Sequence, residues 1–178
     1  MIRLFAAVAI PTEIAEGLVR RQTGLDGARW RPPESLHITL RFFGAVREDV
    51  ADDLDGELSR TTGAPMDLQL ERAGSFGEGP DVHAIWAGVA DNPALRQLAG
   101  RCEQAARRAG LKAEKRNFHP HVTLAYLRRP DPVSVARWIQ ANNLLQSPPF
   151  HVDRFGLYSS RLSPQGSSYA LEREYALR

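Results

Sequence analysis

Leu36-His37-Ile38-Thr39-Leu40-Arg41-Phe42-Phe43 and Phe118-His119-Pro120-His121-Val122-Thr123-Leu124-Ala125 carry one tetrapeptide pattern, histidine–aliphatic–threonine–leucine, 84 positions apart in a chain of 178 residues. Both stretches are apolar and β-prone. Successive side chains of a strand point to opposite faces, so His37 and Thr39 share one face, as do His121 and Thr123. Ile38 and Leu40, like Val122 and Leu124, point the other way and can fill a core. Each copy thus sets an imidazole beside a hydroxyl. Two such strands facing each other make an acid–base site with two neutral hydrogen-bond donors.

Working outward, residues 2–10 read as a buried strand ended by Pro11, and Thr12 offers an N-cap for a helix of about a dozen residues. Trp30-Arg31-Pro32-Pro33 is an extended lead-in to the first motif strand, about 36–43. Glu48 to Arg60 is a second helix, followed by strands near 66–72 and 82–90 with a Gly-rich loop, Gly74 to Pro80, between them. Asn92 then caps a helix that starts at Pro93 and stops before Gly110. The second motif spans 117–127, a short helix covers 132–141, and strands near 149–158 and 167–177 close the chain. Each half therefore runs strand, helix, motif strand, helix, strand. The expected class is α+β, a duplicated bilobed fold with pseudo-twofold symmetry. Two antiparallel sheets face a central cleft, helices lie outside, and one domain over 1–178 has intertwined lobes at about 1–90 and 91–178.

Composition sets looser bounds. With 43% hydrophobic and 25% charged residues, the chain has the make-up of an ordinary globular protein. A formal charge of +2 does not mark a nucleic-acid binder without local clustering. The lone Cys102 falls on the apolar stripe of its helix, which fits a buried thiol and a reducing compartment. The apolar start, Met1 to Ile10, is too short to span a membrane and lacks a basic leader. A cytoplasmic monomer with no membrane association is expected.

Two imidazoles suit phosphoester chemistry, because a group titrating near neutrality can take a proton from a nucleophile or give one to a leaving oxygen. Thr39 and Thr123 can donate to the non-bridging oxygens where charge develops. Arg41 shares the face of His37 and Thr39, so it is a candidate phosphate contact or, equally, a solvated or salt-bridged side chain. Arg128, past the end of the second motif strand, is placed to lean over the cleft mouth. Phe42, Phe118, Tyr126 and Trp30 lie near the motifs, where an aromatic ring either stacks a base or fills the core. Zinc held by His37, His119 and His121 is the rival chemistry. It leaves the repeated threonine without a role, and Glu34 is the only nearby carboxylate, so no metal and no cofactor is expected. His83 and His151 stand in no pattern and read as structural. No G-x-x-x-x-G-K-[ST] or G-x-G-x-x-G stretch is present.

The two H-x-T-x copies, with their flanking blocks, resemble the two-histidine phosphoesterases and, within them, the RNA 2′,3′-cyclic phosphodiesterases, also called RNA 2′,5′-ligases. The likeness includes Arg3-Leu4-Phe5-Ala6-Ala7-Val8, Glu34 through Gly44, Gly74-Ser75-Phe76-Gly77, Trp86-Ala87-Gly88-Val89, Phe118 through Ala125, and Leu157 through Leu162 with Gly166 and Tyr169. The resemblance implies hydrolysis, without a metal, of a terminal 2′,3′-cyclic phosphate on RNA or a nucleotide to a 2′-phosphate, and the reverse sense as 2′,5′-ligation. It implies His37 as proton donor to the leaving oxygen, His121 as proton acceptor, and phosphate binding by Thr39 and Thr123. Many members carry arginine two residues after the second tetrapeptide, where this chain has Tyr126; Arg128 is the expected substitute. Alternatives that keep the fold are an enzyme of small cyclic phosphates or 2′,5′-oligonucleotides, and a non-catalytic RNA-binding module.

Overall fold

The alternation read in the motifs sorts the side chains as expected. Ile38, Leu40, Val122 and Leu124 are buried, whereas His37, Thr39, His121 and Thr123 are half-buried. The computed structural model describes residues 1–178. Its elements are β1 (Ile2–Ala9), α1 (Thr12–Val19), β2 (Arg29–Trp30), β3 (His37–Val46), α2 (Glu48–Ser59), β4 (Met66–Leu68), β5 (Leu70–Phe76), β6 (Ala84–Val89), α3 (Pro93–Arg108), β7 (His121–Tyr126), α4 (Pro132–Ala141), β8 (Phe150–Val152), β9 (Arg154–Ser163) and β10 (Gly166–Ala176).

One four-stranded antiparallel sheet has the order β10-β9-β1-β3 and carries the first motif. The other, β2-β7-β6-β5, carries the second, and a two-stranded sheet pairs β4 with β8. The architecture is α+β, with β3 and β7 approaching each other and helices flanking the sheets. Each large sheet draws strands from both sides of residue 90, so a cut there would separate strands that are hydrogen-bonded together. One cluster of 41 buried residues forms a continuous apolar core. No helix is long and apolar enough to cross a membrane.

Four local expectations need correction. Thr12 is the first helical residue rather than a cap, and α1 has 8 residues. Beyond it, the Gln22 side chain turns inward to donate to the carbonyls of Arg31 and Leu124, which a continued helix would not permit. The stretch 66–72 splits at Gln69 between two sheets, and Arg72 adopts φ 64 where the β5–β6 register slips. Gly74 to Phe76 is strand rather than loop. Gly74 faces Trp86 across the ladder, and a Cβ there would collide with the indole, so glycine marks a close approach. The C-terminal hairpin is also longer than expected, with Ser163 pairing Gly166. Asn92 does cap α3, accepting from the Leu95 N–H at 3.1 Å.

Candidate active site

Both motifs occupy the same position in the same local unit. In one unit β1 pairs with β3, Ala9 opposite His37 and Ala7 opposite Thr39. In the other β6 pairs with β7, Gly88 opposite His121 and Trp86 opposite Thr123. A helix joins the paired strands in each case, α1 in the first and α3 in the second. The register slips at the same motif position in both, at Leu40 and at Leu124. An extra residue there bends the strand and re-aims the side chains before it. The duplicated tetrapeptide is therefore a duplicated bulge as well.

The imidazoles are held alike. Nδ1 of His37 lies 2.7 Å from the Ser35 carbonyl, and Nδ1 of His121 lies 2.7 Å from the His119 carbonyl. A carbonyl can only accept, so Nδ1 carries the proton in each ring and Nε2 is the atom left to exchange protons in the cleft. Burial lowers the pKa of both below 6.5, since a low-dielectric surrounding disfavours the imidazolium. His37 falls furthest, to about 4. The Ser35 carbonyl partly offsets its burial, and the charges of Arg31 and His121 add a smaller depression. His121 is lowered by burial, with a smaller push from His119, against the upward pull of the His119 carbonyl.

Their walls differ. His37 sits 4.9 Å from the Phe5 ring and edge-on to Tyr169 at 5.2 Å. His121 meets Phe76 edge-on at 4.7 Å, with the Trp86 and His119 rings beyond. Between these walls runs a cleft of about 760 Å³, lined by both histidines and both threonines. That volume lies within the range of ordinary small-molecule sites.

The other candidates are placed unevenly. Phe42 and Tyr126 line the cleft with 38% and 37% of their surface exposed, and Phe118 lines it too. Arg41 lines the cleft, but its guanidinium pairs with Glu103 of α3, reaches Glu114 at 3.6 Å, and donates to the carbonyls of Phe42 and Lys112. Arg128 lies in an exposed bend past β7 and is not among the lining residues. Trp30 packs towards Trp138, 6.2 Å away, outside the cleft. His151 pairs with Asp67 on the surface. His83, read as structural, lines the cleft beside Phe76. Arg31 and Tyr169 were missed as site residues, and only the contact between β2, β7 and the C-terminal hairpin brings them there. No group of three or more His, Cys, Asp or Glu side chains is arranged to hold a metal ion.

Residues 10–163 match the model of the 2′-5′ RNA ligase superfamily, and the chain belongs to that family. Among its relatives is an RNA 2′,3′-cyclic phosphodiesterase of Archaeoglobus fulgidus, 29% identical over 171 residues, covering 94% of this chain and 96% of the relative. Two crystal structures superpose over 99% of this chain. A protein of Thermus thermophilus does so with a TM-score of 0.83 at 26% identity, over 98% of its own length. Escherichia coli LigT complexed with 3′-AMP has a TM-score of 0.79 at 27% identity, also over 98% of its length.

Proposed function

We propose that this chain hydrolyses terminal 2′,3′-cyclic phosphates of RNA to 2′-phosphates, with His37 and His121 as its acid–base pair. The observation that carries this reading is the pairing of two His-x-Thr bulges, one from each sheet, across a single cleft. Relatives named RNA 2′,3′-cyclic phosphodiesterase support the substrate class. Water attacks the phosphorus while His121 Nε2 takes its proton. The P–O3′ bond breaks, and O3′ receives a proton from His37 Nε2. Thr39 and Thr123 donate to the non-bridging oxygens as charge builds on them. With a 5′-hydroxyl in place of water the same displacement joins two RNA ends through a 2′,5′ bond.

The depressed pKa of His37 constrains how a donor works here. In the free cleft both imidazoles are neutral at pH 7, so His37 must take up a proton as the anionic phosphate arrives. A phosphate charge within hydrogen-bond reach favours the imidazolium and opposes the effect of burial. The substrate thereby arms the acid. Each histidine contributes about 10²–10⁴-fold to the rate in this scheme. The whole chain acts as one domain, because neither large sheet is complete without strands from both halves of the sequence. We assign it to the cytoplasm as a monomer, in keeping with a single buried thiol and a cleft completed by one chain.

The test is RNA ended by a 2′,3′-cyclic phosphate, incubated with the protein in excess chelator, with the product read by phosphorus NMR. A 2′-phosphate is expected. A 3′-phosphate would reverse the leaving group, and loss of turnover on chelation would return zinc to the account.

A further inference from the structure

We propose that Arg31 supplies the cation that holds the substrate phosphate. This rests on the function proposed above and names a binding residue for it. Arg31 follows directly after β2, and its main-chain N–H donates to the Leu124 carbonyl at 2.8 Å, beside Thr123. The Gln22 amide bridges the carbonyls of Arg31 and Leu124 at 2.8 and 3.2 Å, which fixes the two strands together.

Arg31 is 8% exposed and lines the cleft. Its guanidinium lies over the Tyr126 ring at 5.6 Å and the Tyr169 ring at 5.3 Å. Its guanidinium donates to the Ser167 carbonyl at 3.1 Å and to the Tyr169 hydroxyl, both neutral acceptors, and no carboxylate pairs with it. A buried charge without a counter-ion is costly unless a ligand supplies one. Arg41, the other well-buried arginine of the cleft, makes the contrast: it meets two carboxylates and two carbonyls and has little left to offer. The Tyr169 ring links the pieces, touching both Arg31 and His37. Arg31 is thus one ring from His37 and one strand from Thr123. Stacked aromatic faces hold the fork in place, and a planar fork suits two phosphate oxygens. The ligand class is a phosphate ester carrying one or two negative charges.

Three proteins decide the matter: wild type, Arg31→Met, and Arg31→Met with Tyr126→Arg. Turnover of cyclic-phosphate-ended RNA is measured alongside thermal unfolding. Arg31→Met is expected to lose about 10²-fold in kcat/KM, the scale of one charge-assisted phosphate contact. Tyr126→Arg should return at least about tenfold of it, because the charge reaches the phosphate from the adjacent strand. An Arg31→Met enzyme within about threefold of wild type would overturn the proposal, as would a loss that Tyr126→Arg leaves unchanged. Should Arg31→Met not fold, a crystal of the wild type with adenosine 2′-phosphate decides. Guanidinium nitrogens about 3 Å from phosphate oxygens support it, and a separation beyond about 5 Å refutes it. An inactive wild type would count against the function itself, whereas an active wild type matched by Arg31→Met counts against this inference alone.

Discussion

The His37 and His121 pockets are duplicates in sequence and backbone, yet they are not chemical equals. Both rings donate Nδ1–H to a carbonyl two residues back, and both precede a one-residue bulge. The His37 wall, however, comes from Phe5, Tyr169 and Arg31, which bury the ring and press its pKa to about 4. The His121 wall comes from Phe76, Trp86 and a second imidazole, and its pKa falls less far. A duplicated motif can therefore supply two similar tools while the flanking strands set their proton affinities apart. Acid and base roles separate through surroundings rather than through residue type.

Several changes should break or sharpen that comparison. Outside the histidines themselves, the largest effect belongs to the threonines. Thr39→Val and Thr123→Val should each lower kcat by about 10²–10³-fold with the fold retained, as expected for losing one donor to a developing oxyanion. Steady-state kinetics would show whether the two losses match, and an unchanged kcat in either would remove that half from the phosphate site. Next comes stability against pH. The unfolded His37 binds a proton below 6.5 and the folded one below about 4, so the unfolded state holds more protons between these values and stability falls as pH drops through that window. The drop amounts to about 3 kcal/mol at roughly 1.4 kcal/mol per pH unit. Urea unfolding at pH 7 and pH 4 should show wild type losing about that much more than His37→Asn; equal losses would deny the burial of the charge.

Smaller effects follow on the other side of the cleft. Gly74→Ala should cost about 1–3 kcal/mol, because the new methyl must displace the Trp86 ring that meets His119 edge-on. Its melting temperature is the readout, and a neutral result would mean that the indole has room to move. Finally, the kcat/KM profile should be a bell with its maximum below pH 6.5, since both pKa values are lowered in the free enzyme. The bell reports the pair and does not say which histidine is the acid. A maximum above pH 7 would contradict the depressed values.

How much of this was legible in the sequence follows from the range of the interactions involved. The motif strands, α3 with its Asn92 cap, α4 and the α+β class rest on local periodicity and capping, and those signals survive in a bare sequence. The pairing of His37 with His121 was legible because the duplication is itself a long-range signal. Arg31 was not, because its importance comes from β2 lying beside β7 and from the hairpin after Ser163 folding back. Neither pairing leaves a trace near residue 31. Arg41 was legible in part: strand alternation aims it at the cleft but leaves open whether it meets a phosphate or a carboxylate, and only the fold brings Glu103 and Glu114 to it. The Gly74 strand likewise needed the sight of Trp86 across the ladder.

The central claim is that two imidazoles share one proton-transfer cycle, with His37 serving the leaving oxygen. Its most direct test is single-turnover cleavage by His37→Ala and His121→Ala, on a cyclic-phosphate RNA end and on a phosphodiester with a p-nitrophenolate leaving group. Both variants should lose about 10²–10⁴-fold on RNA. Only His37→Ala should recover on the activated ester, because a good leaving group needs no proton. Recovery of His121→Ala in its place would exchange the two roles, and wild-type rates in either variant on RNA would contradict the account.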